Sequence, residues 1–371
     1  MSWLDKTEYH PKSVLVNQKP ETDPMPATSE TTYERMKRKL SAIVPDAELR
    51  YKAEIADEII EWKAKRNAVI LAHNYMEPAL FHSGIADFSG DSLQLSRDAA
   101  ASNADVIVFC GVRFMAETAY ILNPTKTVLC PARIAGCSLA SSITAQDVRQ
   151  LKARFPGVPV VTYINTYADV KADSDICCTS GNAAKVVKSL GAEKVIFLPD
   201  EYLAANVARE TGRSIIYPTR PGAPAKFKEL DYQMVGWTGK CEVHDLFTVE
   251  DIRNARKQFP GILVLTHPEC PPDVVLASDF SASTNAMSKY VRESGAPHYL
   301  ILTECSMADN IAADNPGKDI VRMCTIRCPH MNEITMEDTL EALKKLQYKA
   351  VVPEEIRVRA LKSVQRMLEI G

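Results

Sequence analysis

Most of the longer apolar runs in this chain are continuous and do not alternate with polar residues. A short continuous apolar run is typical of a strand that is buried on both faces in a parallel sheet. The pattern therefore predicts an α/β fold in which helices connect parallel strands. The runs are residues 68–75, 105–112, 126–132, 159–165, 194–200, 261–267 and 298–304.

Helical patterns and a polar segment flank this strand-rich region. From Asp46, apolar residues recur near one face with charged residues between them, which predicts an amphipathic helix. Thr335 and Asp338 have the spacing of a capping box, so a helix is predicted to begin there, and a second helix is predicted over residues 353–370. Residues 1–45 are polar, and we predict a flexible or loosely docked extension for them.

One arrangement of residues occurs three times along the chain. Each copy has a strand ending in a polar residue with a ring, then an aspartate five residues before a hydroxyl residue, then a second strand, and finally one cysteine. A single match of this kind arises by chance, but three matches in the same order favour a true internal repeat. The ring residues are His73, Tyr163 and His267, the aspartates are Asp87, Asp175 and Asp279, the hydroxyl residues are Ser92, Ser180 and Thr284, and the cysteines are Cys137, Cys241 and Cys328.

The repeat predicts three similar α/β/α domains with parallel sheets around a pseudo-threefold axis. We place the domains at residues 46–125, joined by residues 330–371, and at residues 126–235 and 236–329. Parallel sheets bind ligands at the carboxyl ends of their strands, where the three ring residues lie. Hydroxyl and N–H groups at helix starts bind anions, although a single serine or threonine there is more often an ordinary N-cap. The threefold recurrence of the hydroxyl favours an anion-binding site.

The three repeated cysteines predict a shared metal centre. The wide spacing of Cys137, Cys241 and Cys328 excludes a local zinc knuckle or a ferredoxin-type run. A structural zinc ion needs a fourth ligand, for which His244 and Cys324 are the candidates. A [4Fe–4S] cluster with one iron not bound by the protein fits three thiolates better, so we favour it over zinc. His244 itself is interpreted as a surface residue rather than as support for the metal.

Composition narrows the class of protein. The chain has 371 residues, of which 46% are hydrophobic, and a net charge of −3, without a basic face or tail that predicts binding to nucleic acid or membranes. No secretory signal or membrane-spanning run is recognised, so we expect a soluble protein in the cytoplasm that acts on small molecules. Disulfides are not expected there, and Cys110 and Cys130 are predicted to be core residues. The oligomeric state is not predicted.

Several long strings of residues resemble the quinolinate synthases in order, from about residue 46 to residue 345. The resemblance implies three α/β domains with one [4Fe–4S] cluster per chain at the centre. It implies condensation of iminoaspartate with dihydroxyacetone phosphate to give quinolinate, phosphate and water for NAD biosynthesis, with the open iron as a Lewis acid. An L-aspartate-oxidising enzyme that supplies iminoaspartate is the implied partner. The strings are AHNY, ADFSGDSLQLSR, GVRFMAETAYILNPTKTVLCPARIAGCSLA, TYINTYADVKADSDICCTSGNA, HPEC and CPHM.

The same resemblance implies roles for particular residues. In each repeat a second polar residue follows the ring residue by two positions, so that both side chains face one pocket. Glu269 is the candidate general base, and Tyr75 is a candidate proton donor or oxyanion ligand. The implied cluster ligands are Cys137, Cys241 and Cys328, the implied substrate-binding residues are His73, Ser92, Tyr163, Asn165, Ser180, His267, Glu269 and Thr284, and the implied catalytic residues are Glu269, Tyr75 and His267.

Two other functions compatible with three cysteines are weighed against this one. An aconitase-like hydro-lyase also uses an open iron, but it acts on a hydroxy acid and needs no phosphate site. A non-enzymatic redox sensor or zinc-stabilised scaffold needs an exposed cluster or a fourth ligand. In some quinolinate synthases the last cysteine belongs to a CxxCxxC run. Here Cys324 and Cys328 are separated by three residues, so a disulfide between them is not predicted.

Overall fold

The computed structural model describes residues 30–220 and 231–370. In these residues the strands form three separate sheets, every strand pair is parallel, and helices connect most successive strands, which confirms the predicted α/β class. The strands are β1 (Ala68–His73), β2 (Phe88–Gly90), β3 (Val106–Cys110), β4 (Thr127–Leu129), β5 (Val160–Tyr163), β6 (Ile176–Cys178), β7 (Val195–Leu198), β8 (Ile215–Ile216), β9 (Met234–Gly236), β10 (Leu263–Thr266), β11 (Phe280–Ser281), β12 (His298–Leu302) and β13 (Asp319–Val321). The helices are α1 (Thr32–Leu40), α2 (Asp46–Lys65), α3 (Pro78–His82), α4 (Ser92–Ala101), α5 (Arg113–Leu122), α6 (Ser138–Ser141), α7 (Ala145–Arg154), α8 (Ala168–Asp173), α9 (Ala183–Ser189), α10 (Glu201–Thr211), α11 (Val249–Gln258), α12 (Pro272–Ala277), α13 (Thr284–Glu293), α14 (Cys305–Asp314), α15 (Met336–Lys345) and α16 (Glu354–Ile370), with one 3-10 turn at His244–Leu246.

The three sheets share one strand order. The first sheet is β2-β1-β3-β4, the third is β11-β10-β12-β13, and the second is β6-β5-β7-β9 with β8 added at its edge. Each of the seven apolar runs contains one strand, which has four to six residues except in the case of β4, which has three. The edge strands β2, β6 and β11 have only two or three residues, which is too short for a hydrophobic pattern to indicate them.

The repeated aspartate holds the edge strand against the central strand in all three sheets. Asp87 Oδ2 accepts the N–H of Ile70 at 2.8 Å, while its own N–H donates to the Ile70 carbonyl at 2.9 Å. Asp175 and Asp279 make the same two bonds with Val160 and Val264. A basic residue of the helix before the central strand pairs with each aspartate. The most regular feature of the repeat is therefore structural.

Replacing one of these aspartates should lower stability without changing the active site. Asp279→Ala removes the bond to the Val264 N–H (2.8 Å) and the ion pair with Arg256 (3.0 Å). We expect the free energy of unfolding to fall by about 2 kcal/mol, as for other hydrogen bonds to charged groups, measured by urea denaturation. Asp231→Ala, at an exposed position, is the matched control. An equal loss in both variants would contradict this role.

The sheets divide the chain differently from the predicted domain boundaries. Strand β4, which falls in the domain predicted to begin at residue 126, pairs with β3 and closes the first sheet. Helix α15 packs on α2 beside the first sheet, whereas α16 packs on α8 and β6 of the second sheet. The reason is that Val128 and Leu129 complete the buried face of the first sheet, which the local pattern does not reveal.

Part of the predicted N-terminal extension is helical. Residues 1–29 lie outside the described residues, whereas α1 packs on α2, and its residues Met36 and Leu40 are fully buried. Their spacing of four residues places both on one face of α1. Helix α2 begins at Asp46, as predicted. Among the described residues, no helix is both long and apolar enough to cross a membrane.

The first sheet, one face of the second sheet and the C-terminal helices share one hydrophobic core, and the other face of the second sheet packs in a separate cluster. Leu71 of β1, Val161 of β5 and Val364 of α16 all belong to it. The faces of the third sheet pack in two smaller clusters, one containing Val264 and the other Leu265. Buried layers thus support the strand ends that carry the predicted site residues.

Candidate active site

A cavity of about 70 Å³ lies where the carboxyl ends of the three sheets meet. All of the site residues predicted from the sequence line this cavity, although their chemical roles stay predictions. The residues are His73, Tyr75, Ser92, Cys137, Tyr163, Asn165, Ser180, Cys241, His267, Glu269, Thr284 and Cys328. The fold therefore brings together side chains that are far apart in the chain.

The three cysteines occupy the same local structure three times. Each thiol accepts backbone N–H groups from the second and third residues after it. For Cys241 one of these donors is His244, at the start of the 3-10 turn. Two N–H groups directed at one sulfur stabilise a thiolate and tune the metal that it binds. The loops after the cysteines are therefore shaped to receive negatively charged sulfur.

Without a cation these thiols stay protonated. Burial raises the pKa of Cys137 to about 12 and that of Cys328 to about 11, and it raises the pKa of Cys241 well above its usual value. The backbone N–H groups act in the opposite direction but are outweighed. A bound metal supplies the missing positive charge and makes thiolates of all three. Three soft sulfur donors at one cavity thus fit an iron–sulfur cluster.

The remaining cysteines do not join these three. Cys110 and Cys130 are buried in the first sheet and beside it, as predicted. Cys324 is exposed, does not line the cavity and hydrogen-bonds to Cys305. Among the described residues, which include all ten cysteines, there is no disulfide. The candidate role of Cys324 as a fourth ligand therefore has no support in the geometry.

Glu269 lies at the centre of a hydrogen-bond network in the cavity. Its Oε1 accepts a very short hydrogen bond from the Tyr163 hydroxyl and a longer one, 3.5 Å, from Asn165 Nδ2. His244 Nδ1 lies 2.9 Å from Oε2. Burial alone raises the pKa of Glu269, but His244 and the Tyr163 hydroxyl overcome it and lower the pKa, so the group is a carboxylate at neutral pH.

His244 is a buried member of this network, so its interpretation as a surface residue is wrong. Only 2% of it is exposed. Its Nδ1 is also 3.1 Å from the Cys241 sulfur, and its Nε2 is 2.9 Å from Thr303 Oγ1, which in turn bonds the Tyr75 hydroxyl at 2.7 Å. The signal in the sequence is the position of His244 three residues after Cys241, where the turn directs it back toward the sulfur.

Thr303 and Glu304 also belong to the candidate site, although the repeated motif does not include them. Both follow β12, whose carboxyl end faces the cavity, and this position in the third repeat was the available signal. Glu304 caps α14 through the Ser306 N–H, and its Oε1 lies 3.4 Å from the Cys328 backbone nitrogen. Burial raises the pKa of Glu304 to about 7. Glu304 thus fixes the loop that presents Cys328.

The two ring histidines at the strand ends are neutral in this cavity. Burial lowers the pKa of His73 to about 4 and that of His267 to about 3. Nδ1 of His73 accepts the Tyr75 N–H, and Nδ1 of His267 accepts the Glu269 N–H. The proton of each ring is therefore on Nε2, and His267 Nε2 lies 3.1 Å from Ser180 Oγ. Both rings present a neutral N–H donor.

The three hydroxyls are not the ordinary N-caps that the alternative interpretation suggested. Ser92 and Thr284 are the first residues of α4 and α13, whose caps are the preceding residues, and Ser180 lies three residues before α9. Asn74 Nδ2 donates to Thr284 Oγ1 at 2.8 Å, which fixes that hydroxyl from the first sheet. The hydroxyl protons are therefore available to a ligand in the cavity.

One smaller group of side chains also has the composition of a metal site. Ligand atoms of Cys241, His244 and Glu269 all lie within 4.8 Å of one another. A sulfur, a nitrogen and an oxygen donor are typical of a single zinc or iron ion. Such an ion would use only one of the three repeated cysteines and would leave the N–H groups around Cys137 and Cys328 without a purpose.

The chain is similar in sequence to the proteins of one enzyme family. A family model described as Quinolinate synthetase A protein matches residues 57–369. Quinolinate synthase 2 of Mesorhizobium japonicum is 50% identical over 338 residues, which are 91% of this chain and 97% of that protein. The quinolinate synthase of Agrobacterium fabrum is 50% identical over 338 residues, or 91% of each chain. That of Xylella fastidiosa (strain 9a5c) is 52% identical over 314 residues, covering 85% of this chain and 86% of the relative.

Proposed function

Because this chain belongs to the quinolinate synthetase A family, we propose that it is a quinolinate synthase. In this proposal it condenses iminoaspartate with dihydroxyacetone phosphate and releases quinolinate, phosphate and water, a carbon–carbon condensation and dehydration in NAD biosynthesis. The observation that carries the proposal is the convergence of three repeated cysteines, three repeated hydroxyls and Glu269 on one cavity. No other set of residues in the described chain combines sulfur, hydroxyl and carboxylate groups in this way.

Cys137, Cys241 and Cys328 would hold one [4Fe–4S] cluster per chain. One support is the pair of backbone N–H groups directed at each sulfur. The other is burial, which keeps the three thiols uncharged unless a metal binds to them. When bound, the cluster supplies a Lewis-acidic iron that eases loss of a hydroxyl group as water. The protein offers three thiols here and not four, in agreement with an iron that is left open.

The substrates carry carboxylate and phosphate groups, which need hydrogen-bond donors in a closed site. Ser92, Ser180 and Thr284 supply hydroxyl donors, and His73 and His267 supply neutral N–H donors. Neutral donors bind an anion without an added charge and keep its negative charge available to the cluster. Which donor binds which substrate depends on how the two substrates occupy the cavity.

Glu269 is proposed to be the general base. It is ionised, it is 3% exposed, and Tyr163 and Asn165 hold Oε1 in place. His244 Nδ1, 2.9 Å from Oε2, donates its N–H to that oxygen and so stabilises the ionised carboxylate. On the other side of His244, Thr303 links the ring to the Tyr75 hydroxyl. One hydrogen-bonded chain thus runs from the Glu269 carboxylate to the Tyr75 hydroxyl, which is the proposed proton donor.

The supply of substrate and the compartment are parts of the same proposal. An L-aspartate-oxidising enzyme produces iminoaspartate, and this chain would consume it. The ten cysteines form no disulfide among the described residues, and we propose the cytoplasm as the compartment.

An anaerobic assay for quinolinate from iminoaspartate and dihydroxyacetone phosphate tests the function. We expect quinolinate formation, a brown protein with absorbance near ~400 nm that bleaches in air, and about four iron and four sulfide per chain. A colourless protein with one zinc or iron ion would instead favour the ion site at Cys241, His244 and Glu269. Turnover of a hydroxy acid without phosphate dependence would favour an aconitase-like hydro-lyase and overturn the proposal.

A further inference from the structure

A second cavity, of about 440 Å³, adjoins the candidate active site. Gly136 lines both cavities, and it directly precedes the cluster-ligand candidate Cys137. The wall of the second cavity comes from the segment before Gly136, the start of α5, Tyr167 and the segment before α16. We call this second cavity the Arg133 groove, defined by Arg113, Arg133, Tyr167, Lys349 and Gly136.

The Arg133 groove is strongly basic. Three basic residues line it, and the one acid, Glu117, is buried. Arg113 Nε donates to Glu117 Oε1 at 2.8 Å, and its guanidinium lies over the Tyr167 ring. Glu117 Oε2 in turn accepts the Ala168 N–H. Both carboxylate oxygens of Glu117 therefore accept hydrogen bonds from the protein, and the groove has an excess of positive charge.

Arg133 and Lys349 carry that excess. Both are exposed, and within the described residues neither side chain has an ion-pair partner. The segment that carries Arg133 is anchored, because the Arg113 N–H donates to the Ala135 carbonyl at 2.8 Å. The backbone two residues after Arg133 is thus held in place, and Arg133 lies three residues before Gly136, which lines both cavities. Both cations are solvated and, in the part of the chain that the structure describes, unpaired, so they are available to attract an anion.

We propose that the Arg133 groove is an entry site, which captures small carboxylate and phosphate anions and delivers them to the catalytic cavity past Gly136. The inference rests on the proposed function, because both of its substrates are anions. The whole chain has a net charge of −3, so its average field repels them. A local basic groove at the mouth of the site reverses that repulsion and raises the association rate. Residues in the groove act on capture and not on the chemical steps.

Charge reversal at Arg133 tests this with steady-state kinetics. For Arg133→Glu we expect kcat/KM for dihydroxyacetone phosphate to fall about 10-fold at low ionic strength, with kcat within about 2-fold, and the deficit to shrink as salt is added. Arg292→Glu, in the last turn of α13, is the matched control and should change kcat/KM by less than about 2-fold. A deficit in kcat, or a deficit that salt does not change, would overturn the proposal.

A binding measurement keeps this test separate from the test of function. The ³¹P linewidth of dihydroxyacetone phosphate is measured at low salt with the cluster-loaded protein, the Arg133→Glu variant and the Arg292→Glu variant. We expect broadening with the unaltered protein and the Arg292 variant, and a clear loss of broadening with the Arg133 variant. Equal broadening in all three rejects the entry site even if quinolinate is formed. Absence of quinolinate from the unaltered protein, with the expected pattern of broadening, rejects the proposed function alone.

Discussion

Replacing Cys137, Cys241 or Cys328 with serine is expected to remove the cluster and reduce quinolinate formation to background. Serine keeps the backbone conformation and accepts the same N–H groups, but its hydroxyl stays protonated and binds iron poorly. Each loss should be nearly complete, since no fourth cysteine lines the cavity in the described chain. Iron and sulfide per chain, measured after anaerobic purification, should fall at least ~10-fold.

Cys110→Ser is the matched control for the three ligand variants. Cys110 is fully buried and lies 3.6 Å from Thr339 Oγ1, which can receive the new hydroxyl. We expect unchanged iron content and a folded protein by circular dichroism. If any of Cys137, Cys241 or Cys328 can be replaced with full retention of iron, that residue is not a ligand. Loss of iron from the Cys110 variant would mean that the assay reports stability instead.

Replacing Glu269 with glutamine is expected to keep the cluster but lower kcat by about 10³-fold, as for removal of a general base. The amide oxygen can still accept the short bond from the Tyr163 hydroxyl, so the shape of the site is preserved. The amide nitrogen, however, replaces the oxygen that lies 2.9 Å from His244 Nδ1, and it cannot accept a proton. The variant should therefore show a normal absorption spectrum with almost no turnover.

Glu242→Gln is the matched control for the Glu269 variant. Glu242 lines the same cavity, but its carboxylate pairs with His330 Nε2 at 3.1 Å and not with the central network. We expect its kcat to stay within about 3-fold of the unaltered protein, as for an interaction at a half-exposed position. A near-normal rate in the Glu269 variant would remove Glu269 as the base. Equal losses in both variants would show a general effect of charge in the cavity.

The difference between predicted and observed roles is clearest at the repeated Asp–hydroxyl pair. The sequence shows that both members recur, but it does not separate their functions. In the structure the aspartates hydrogen-bond the edge strands to the central strands, whereas Ser92 and Thr284 are the first residues of helices that begin at the cavity. Recurrence reveals that a position is constrained, and only the contacts tell whether the constraint is on the fold or on a ligand.

His244 shows why part of the site was beyond the sequence. A histidine three residues after a cysteine in a polar loop has the pattern of a surface turn. This turn is buried only because residues of the third sheet pack over it. Glu269 and Thr303, which enclose the ring, come from positions after β10 and β12. Burial of a loop residue depends on what packs over it, and that information is not local.

By itself, the sequence determined the α/β class, the threefold repeat, the longer strands and the repeated strand-end and cysteine residues of the cavity, because continuous apolar runs and recurring residues are local patterns. The tertiary structure alone decided that β4 closes the first sheet, that α16 covers the second, that His244 joins Glu269, and that a basic groove adjoins the cavity at Gly136. These depend on contacts between residues far apart in the chain, and the free energy of such contacts is set by burial and by the neighbours that the fold supplies.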